Sequence, residues 1–173
     1  MIRPHTDNTR SGSRTDALPE DTSPEVVVVG GGHAGAEAAW AAANLLGGER
    51  TVALVTLRRE TIGVMSCNPS IGGLAKGQLA REVDAMGGLM GLAADASGIH
   101  SRTLNSTKGP AVRGPRCQCD KDTYARCVRA LLESRPEIAI VEGAVEDVLT
   151  EQDSGGARRI RGVRVRTGGE ADG

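Results

Sequence analysis

Residues 26–46, VVVVGGGHAGAEAAWAAANLL, constrain the fold of this chain more than any other stretch. Val26 to Val29 are β-branched and suit a buried strand. Three glycines follow at once, and the alanine-rich run from Ala34 to Leu46 then favours a helix. A strand that turns through glycine into a helix aims the helix N-terminus, with its unpaired N–H groups and positive dipole end, at an anion. Gly30, Gly32 and Gly35 fill the spacing G-x-G-x-x-G. The first makes the tight bend, the second lets a pyrophosphate approach the backbone, and the third lets the helix pack close to the strand. Glycine supplies 24 of the 173 residues, so the spacing alone is weak. The flanking strand and helix, with a second strand expected at Thr51 to Thr56, carry the assignment to the opening β-α-β unit of a dinucleotide-binding domain. The carboxylate that usually holds the ribose is missing, because Thr56, Leu57, Arg58 and Arg59 precede Glu60.

Beyond that unit, residues 57–74 are expected to form a long loop carrying Gly63, Pro69, Gly72 and Gly73, with Cys67 within it. A cysteine in a glycine-rich loop near a cofactor turn suggests redox or nucleophilic chemistry; a packed thiol is the plain alternative. Leu74 to Met86 have helical spacing, with Leu79, Val83 and Met86 on one face, and Gly87 and Gly88 end the helix. A second glycine-, proline- and arginine-rich loop, Thr103 to Gln118, precedes a helix capped by Asp120 that runs through Tyr124, Val128, Leu131 and Leu132 and stops before Pro136. Ile138 to Val141 fit the parallel sheet, and Ala144 to Leu149 with Arg158 to Arg166 flank a turn at Asp153 to Gly156 as a hairpin. The fold class is therefore α/β: a Rossmann-like parallel sheet with flanking helices and an added β-hairpin, spanning residues 24–173. Residues 1–23, rich in Thr, Ser, Asp, Arg and Pro, are expected to be a disordered leader, too acidic for a transit peptide.

Composition narrows the function classes. A length of 173 residues suits one domain with a sizeable core. Trp40 and Tyr124 are the only aromatics among Phe, Trp and Tyr, so the core is aliphatic and a base-stacking platform is excluded. Net charge is −1, which leaves nucleic-acid contact to local patches. One such patch runs from Arg102 to Arg135, with eight Lys and Arg against three Asp and Glu. Lys108, Arg113 and Arg116 lie in its loop and are the candidates for phosphate contact, against plain solvation of a surface. The cysteines at 67, 117, 119 and 127 come without a secretory segment or transmembrane run, which points to reduced thiols in the cytoplasm and no membrane association. Cys117 and Cys119 form C-x-C without the spacer or histidines of zinc sites, so no metal is expected and packing roles are assigned.

Three blocks in order carry a resemblance. VVVVGGGHAGAEAA (26–39), TIGVMSCNPSIGGLAKGQLAREVDAMGGLMG (61–91) and LNSTKGPAVRGPRCQCDKDTY (104–124) together resemble the N-terminal portion of the MnmG/GidA family of tRNA uridine-modifying flavoproteins. The resemblance implies an FAD-binding domain that is incomplete at its C-terminal end, since the family is several times longer. It implies an enzyme that binds FAD and uses NADH and methylenetetrahydrofolate. With an MnmE-like GTPase, such an enzyme installs a carboxymethylaminomethyl-type group on the tRNA wobble uridine, and it acts as a homodimer when complete. By motif, Gly30, Gly31, Gly32, His33, Ala34 and Gly35 would bind the FAD pyrophosphate and Val145 its adenine end. Cys67 would be the catalytic cysteine, and Lys108 and Arg113, in the K-G-P-A-V-R segment, would lie near the cofactor and RNA; Arg116 remains an RNA candidate from the local charge. Two other readings stay open: a free-standing, non-catalytic nucleotide- or partner-binding remnant, and a folate- and FAD-dependent tRNA methyltransferase.

Overall fold

The structure, a computed structural model, describes residues 2–4, 23–48, 51–73 and 75–167. Its centre is a three-stranded parallel sheet in the order β2 (Val26–Val29), β3 (Val52–Thr56), β7 (Ile138–Glu142). Val26 pairs with Val52, and Val52 with Ile138. All five residues of β3 are buried, as a central strand covered on both faces requires. Its alternation splits the core in two. Val52 and Leu54 face helices α1 (His33–Leu46), α3 (Leu89–Ser97) and α4 (Lys121–Glu133), whereas Val55 packs with Val141, Val163 and Val165 on the opposite side.

Helix α1 closes onto the sheet through Ala36, Ala39 and Ala43, whose small side chains allow a near approach. Helix α4 buries Tyr124, Ala125, Val128 and Leu132 along one stripe, and the Asp120 carboxylate accepts from Thr123 N at 2.8 Å as its N-cap. The opposite face of the sheet is covered by the expected hairpin, β8 (Ala144–Gln152) and β9 (Arg158–Arg166). The Asp153 carboxylate closes its turn by accepting from Gly155 N and Ala157 N. Three residues of the expected leader, Ile2–Pro4, form β1 parallel to β9; residues 1 and 5–22 of that expectation lie outside the described residues.

Two expected loops contain paired strands. The stretch 57–74 holds a 3-10 turn at Arg59–Thr61 and a short strand, β4 (Ser70–Gly72). The stretch 103–118 overlaps both arms of a hairpin, β5 (Gly98–Leu104) and β6 (Gly114–Cys119), with residues 105–113 as the connection between them. Together they form an antiparallel sheet in the order β4-β6-β5. These strands lack an alternating apolar pattern because β5 is exposed along almost its whole length, so pairing and not burial defines them. Helix α2 (Lys76–Ala85) begins later than expected and its anticipated apolar face is open, with Leu79 60% and Met86 78% exposed.

Candidate cofactor and cysteine site

Gly32 and Gly35, at the turn between β2 and α1, have distinct geometric reasons. A Cβ on Gly35 would fall 1.8 Å from Gly30 O, so only glycine lets the helix start flush against the strand end. Around Gly32, by contrast, no heavy atom of the described residues other than its chain neighbours lies within 4 Å of where a Cβ would stand, which leaves the backbone open to an incoming group. Gly32 is also the N-cap and offers no side chain to the first turn, so the amides of His33, Ala34 and Gly35 have no partner within the helix. The result is an open, positively polarised helix end with clear approach. Gly31 is buried, its carbonyl accepting from Gly63 N at 3.0 Å, which ties the turn to the segment leading to Cys67.

His33 sits at this helix start with its ring stacked on Tyr124, centroids 5.5 Å apart. Burial holds the imidazole below the usual histidine range, opposed by the nearby Glu37 carboxylate. Burial likewise pushes the Tyr124 phenol well above its ordinary range, and its buried hydroxyl has no hydrogen-bond partner among the described residues. Glu37 does not serve its own helix. Its two oxygens accept from Leu89 N at 3.0 Å and Met90 N at 2.7 Å, so a residue of α1 caps the N-terminus of α3.

A cleft of about 560 Å³ opens beside this helix start, walled by α2, β4 and β6. Its lining brings together His33, Cys67, Asn68, Lys76, Met90 and Arg116. Cys67 is an exposed free thiol, on the turn that precedes β4, with two cations of the cleft, Lys76 and Arg116, on α2 and β6. Arrangements of this kind present a nucleophilic sulfur to a ligand while backbone amides and cations receive its negative charge.

Other expected site residues lie elsewhere. Lys108 and Arg113 belong to the loop 105–113 and do not line the cleft. That loop is tied to itself, Asn105 Nδ2 donating to Val112 O and Arg113 Nε to Ser106 O. Val145 lies on β8, packed against the cluster of Val55, Val141, Val163 and Val165 beneath the sheet. Tyr124 and Glu37 were not foreseen as parts of the site. The single tyrosine inside an apolar helical stripe was the available signal for the first, whereas nothing local announces a carboxylate that caps a helix 52 residues away. Among the described residues, no group of three or more His, Cys, Asp or Glu is placed to hold a metal, and no helix is long and apolar enough to cross a membrane.

The profile of a protein family described as glucose inhibited division protein A matches residues 25–172, which include the glycine turn and the whole cleft lining. The chain belongs to the GidA family. It is 51% identical over 154 residues to the tRNA uridine 5-carboxymethylaminomethyl modification enzyme MnmG of Granulibacter bethesdensis, covering 89% of this chain and 24% of that one. It is 52% identical over 147 residues to the enzyme of the same name from Rhodopirellula baltica, covering 82% and 22%. Among solved structures, Aquifex aeolicus GidA superposes with a TM-score of 0.73 at 45% identity, over 81% of this chain and 22% of that one. The chain thus corresponds to the N-terminal part of GidA proteins and spans about a quarter of the length of the curated relatives it matches.

Proposed function

We propose that this chain is the N-terminal, FAD-binding part of an MnmG-like enzyme that, with an MnmE-like GTPase, installs a carboxymethylaminomethyl-type group at C5 of the tRNA wobble uridine. The observation that carries this reading is the opening of the glycine turn beside the cleft that holds Cys67, within a chain half identical to MnmG proteins. The site fits a dinucleotide: Gly32 leaves room for a pyrophosphate, and the amides of His33, Ala34 and Gly35 would donate to it. Bound FAD would supply the two-electron redox chemistry, with NADH as the reductant and methylenetetrahydrofolate as the source of the bridging carbon.

Within the cleft, Cys67 is the residue that touches substrate. Its sulfur would add to C6 of the uracil ring, which raises electron density at C5 and makes that carbon nucleophilic. Acid-base service to the same ring is its alternative role. Lys76 and Arg116 would receive the charge that develops on the ring oxygens or the phosphate of an incoming nucleotide. Lys108 and Arg113 would hold tRNA phosphates outside the cleft, and Val145 would border the adenine end of FAD. The complete enzyme would work in the cytoplasm as a homodimer.

Disruption of the locus in its own organism, followed by nucleoside profiling of total tRNA, tests the proposal. Loss of the carboxymethylaminomethyl-type wobble uridine is expected, and an unchanged profile would contradict it. Loss of a methylated uridine in its place would favour a folate-dependent methyltransferase.

A further inference from the structure

Cys117 and Cys119 stand two residues apart on β6 and are absent from the cleft lining. Their sulfurs share one face of the strand and turn toward α3, where both lie near the same carbonyl, Ala94 O, at 3.6 and 3.9 Å. The two Sγ atoms are 3.9 Å apart. Ser101 Oγ on the neighbouring strand donates to Cys117 Sγ at 3.3 Å. Gly98 leaves the space that this sulfur occupies, since a Cβ there would come within 2.8 Å of it. Access to the pair is unequal: Cys119 is 1% exposed, whereas Cys117 is partly open to solvent.

We propose that Cys117 and Cys119 form a reversible oxidation site at which a peroxide converts the two thiols into an internal disulfide. Cys117 meets the oxidant. Its sulfur attacks one peroxide oxygen, the O–O bond breaks, and Cys117 becomes a sulfenic acid as the other oxygen leaves as water. Cys119 Sγ then attacks Cys117 Sγ, the S–O bond breaks, the S–S bond forms, and the departing hydroxide takes the Cys119 proton as a second water. The two thiols give up two electrons and two protons, and one peroxide is reduced to two waters. Burial raises the Cys119 thiol above its usual range, so Cys119 is not the thiol oxidised first. Residues two apart on a strand have Cα atoms about 6.4–6.8 Å apart, at the upper limit of a disulfide's span. The bridge is therefore one that a small dithiol reopens.

Trypsin isolates the pair in one peptide, Cys117–Lys121, because Arg116 and Lys121 flank it. The reduced full chain, freed of reductant, is treated with hydrogen peroxide, alkylated, digested and analysed by mass spectrometry. The proposal expects this peptide to escape alkylation and to weigh two hydrogens less than its dithiol form, and expects dithiothreitol to restore alkylation. In Cys119→Ser, Cys117 is expected to stop at a sulfenic acid that dimedone traps. A wild-type peptide that stays a dithiol while Cys67 is oxidised would overturn the proposal. So would one that advances to sulfinic acid without a bridge, or one joined to Cys67 or Cys127.

Discussion

At the scale of single residues, the glycine turn is a set of clearances. Gly35 has none to spare, because its missing Cβ would overlap Gly30 O at 1.8 Å. Gly35→Ala is expected to cost ~1–3 kcal/mol of stability through forced separation of α1 from the strand end. Urea unfolding measures that loss directly, and an unchanged midpoint would show that the turn relaxes freely. Cys67 carries a different expectation, because it is exposed and is not one of the buried core residues. Cys67→Ala in a full-length enzyme should abolish uridine modification while the bound flavin absorbance stays as in the parent; retained modification would remove its catalytic role. His33 adds a pH signature. Its folded-state pKa lies below the ordinary value of 6.5 chiefly through burial, so below pH 6.5 the unfolded chain binds a proton that the folded chain still refuses. Stability should therefore fall as pH drops from above 6.5 through the lower folded-state pKa, and His33→Gln should flatten that fall in unfolding midpoints taken between about pH 7.5 and 5.

At the scale of elements, the parts with strong local signals were legible in the sequence. The run Val26 to Val29, the alanine-rich α1, the Asp120-capped α4 and the β8–β9 hairpin all carry their own periodicity, caps or turn residues, and the structure shows them within a few residues of expectation. The β4-β6-β5 sheet was not legible, because β4 has only three residues, β6 carries Gly, Pro and Arg, and β5 is exposed along almost its whole length, so pairing and not an apolar pattern makes them strands. Helix α3 was hidden in the same way: Gly88 supplies no capping side chain, and the cap comes from Glu37 on another helix. Glu37→Ala should leave the Leu89 and Met90 amides without this acceptor, lowering stability by about 1–2 kcal/mol, while Glu37→Gln should restore part of it through one carbonyl oxygen. Thermal unfolding of the three proteins checks the order parent, Gln, Ala; equal values for Ala and parent would deny the cap any weight. Of the candidate site, motif spacing placed the glycine turn and Cys67, whereas the convergence of His33, Lys76 and Arg116 on one cleft depends on packing between α2, β4 and β6 that no local pattern announces.

At the scale of the molecule, the parallel sheet has helices on one face and the β8–β9 ribbon on the other, and the turn before α1 opens beside a cleft whose lining includes the apolar Leu79, Val83 and Met90. Apolar side chains and cations beside a polarised helix end suit a ligand that is part apolar and part anionic. That match, with membership of the GidA family, is the basis for the proposal that FAD binds here. The most direct test is calorimetric titration of the full chain with FAD, alongside folded Gly35→Ala. The account predicts saturable binding of one FAD per chain, weakened roughly tenfold or more by the substitution, a difference of about 1.4 kcal/mol. No saturable binding, or equal affinity in the two folded proteins, would contradict it.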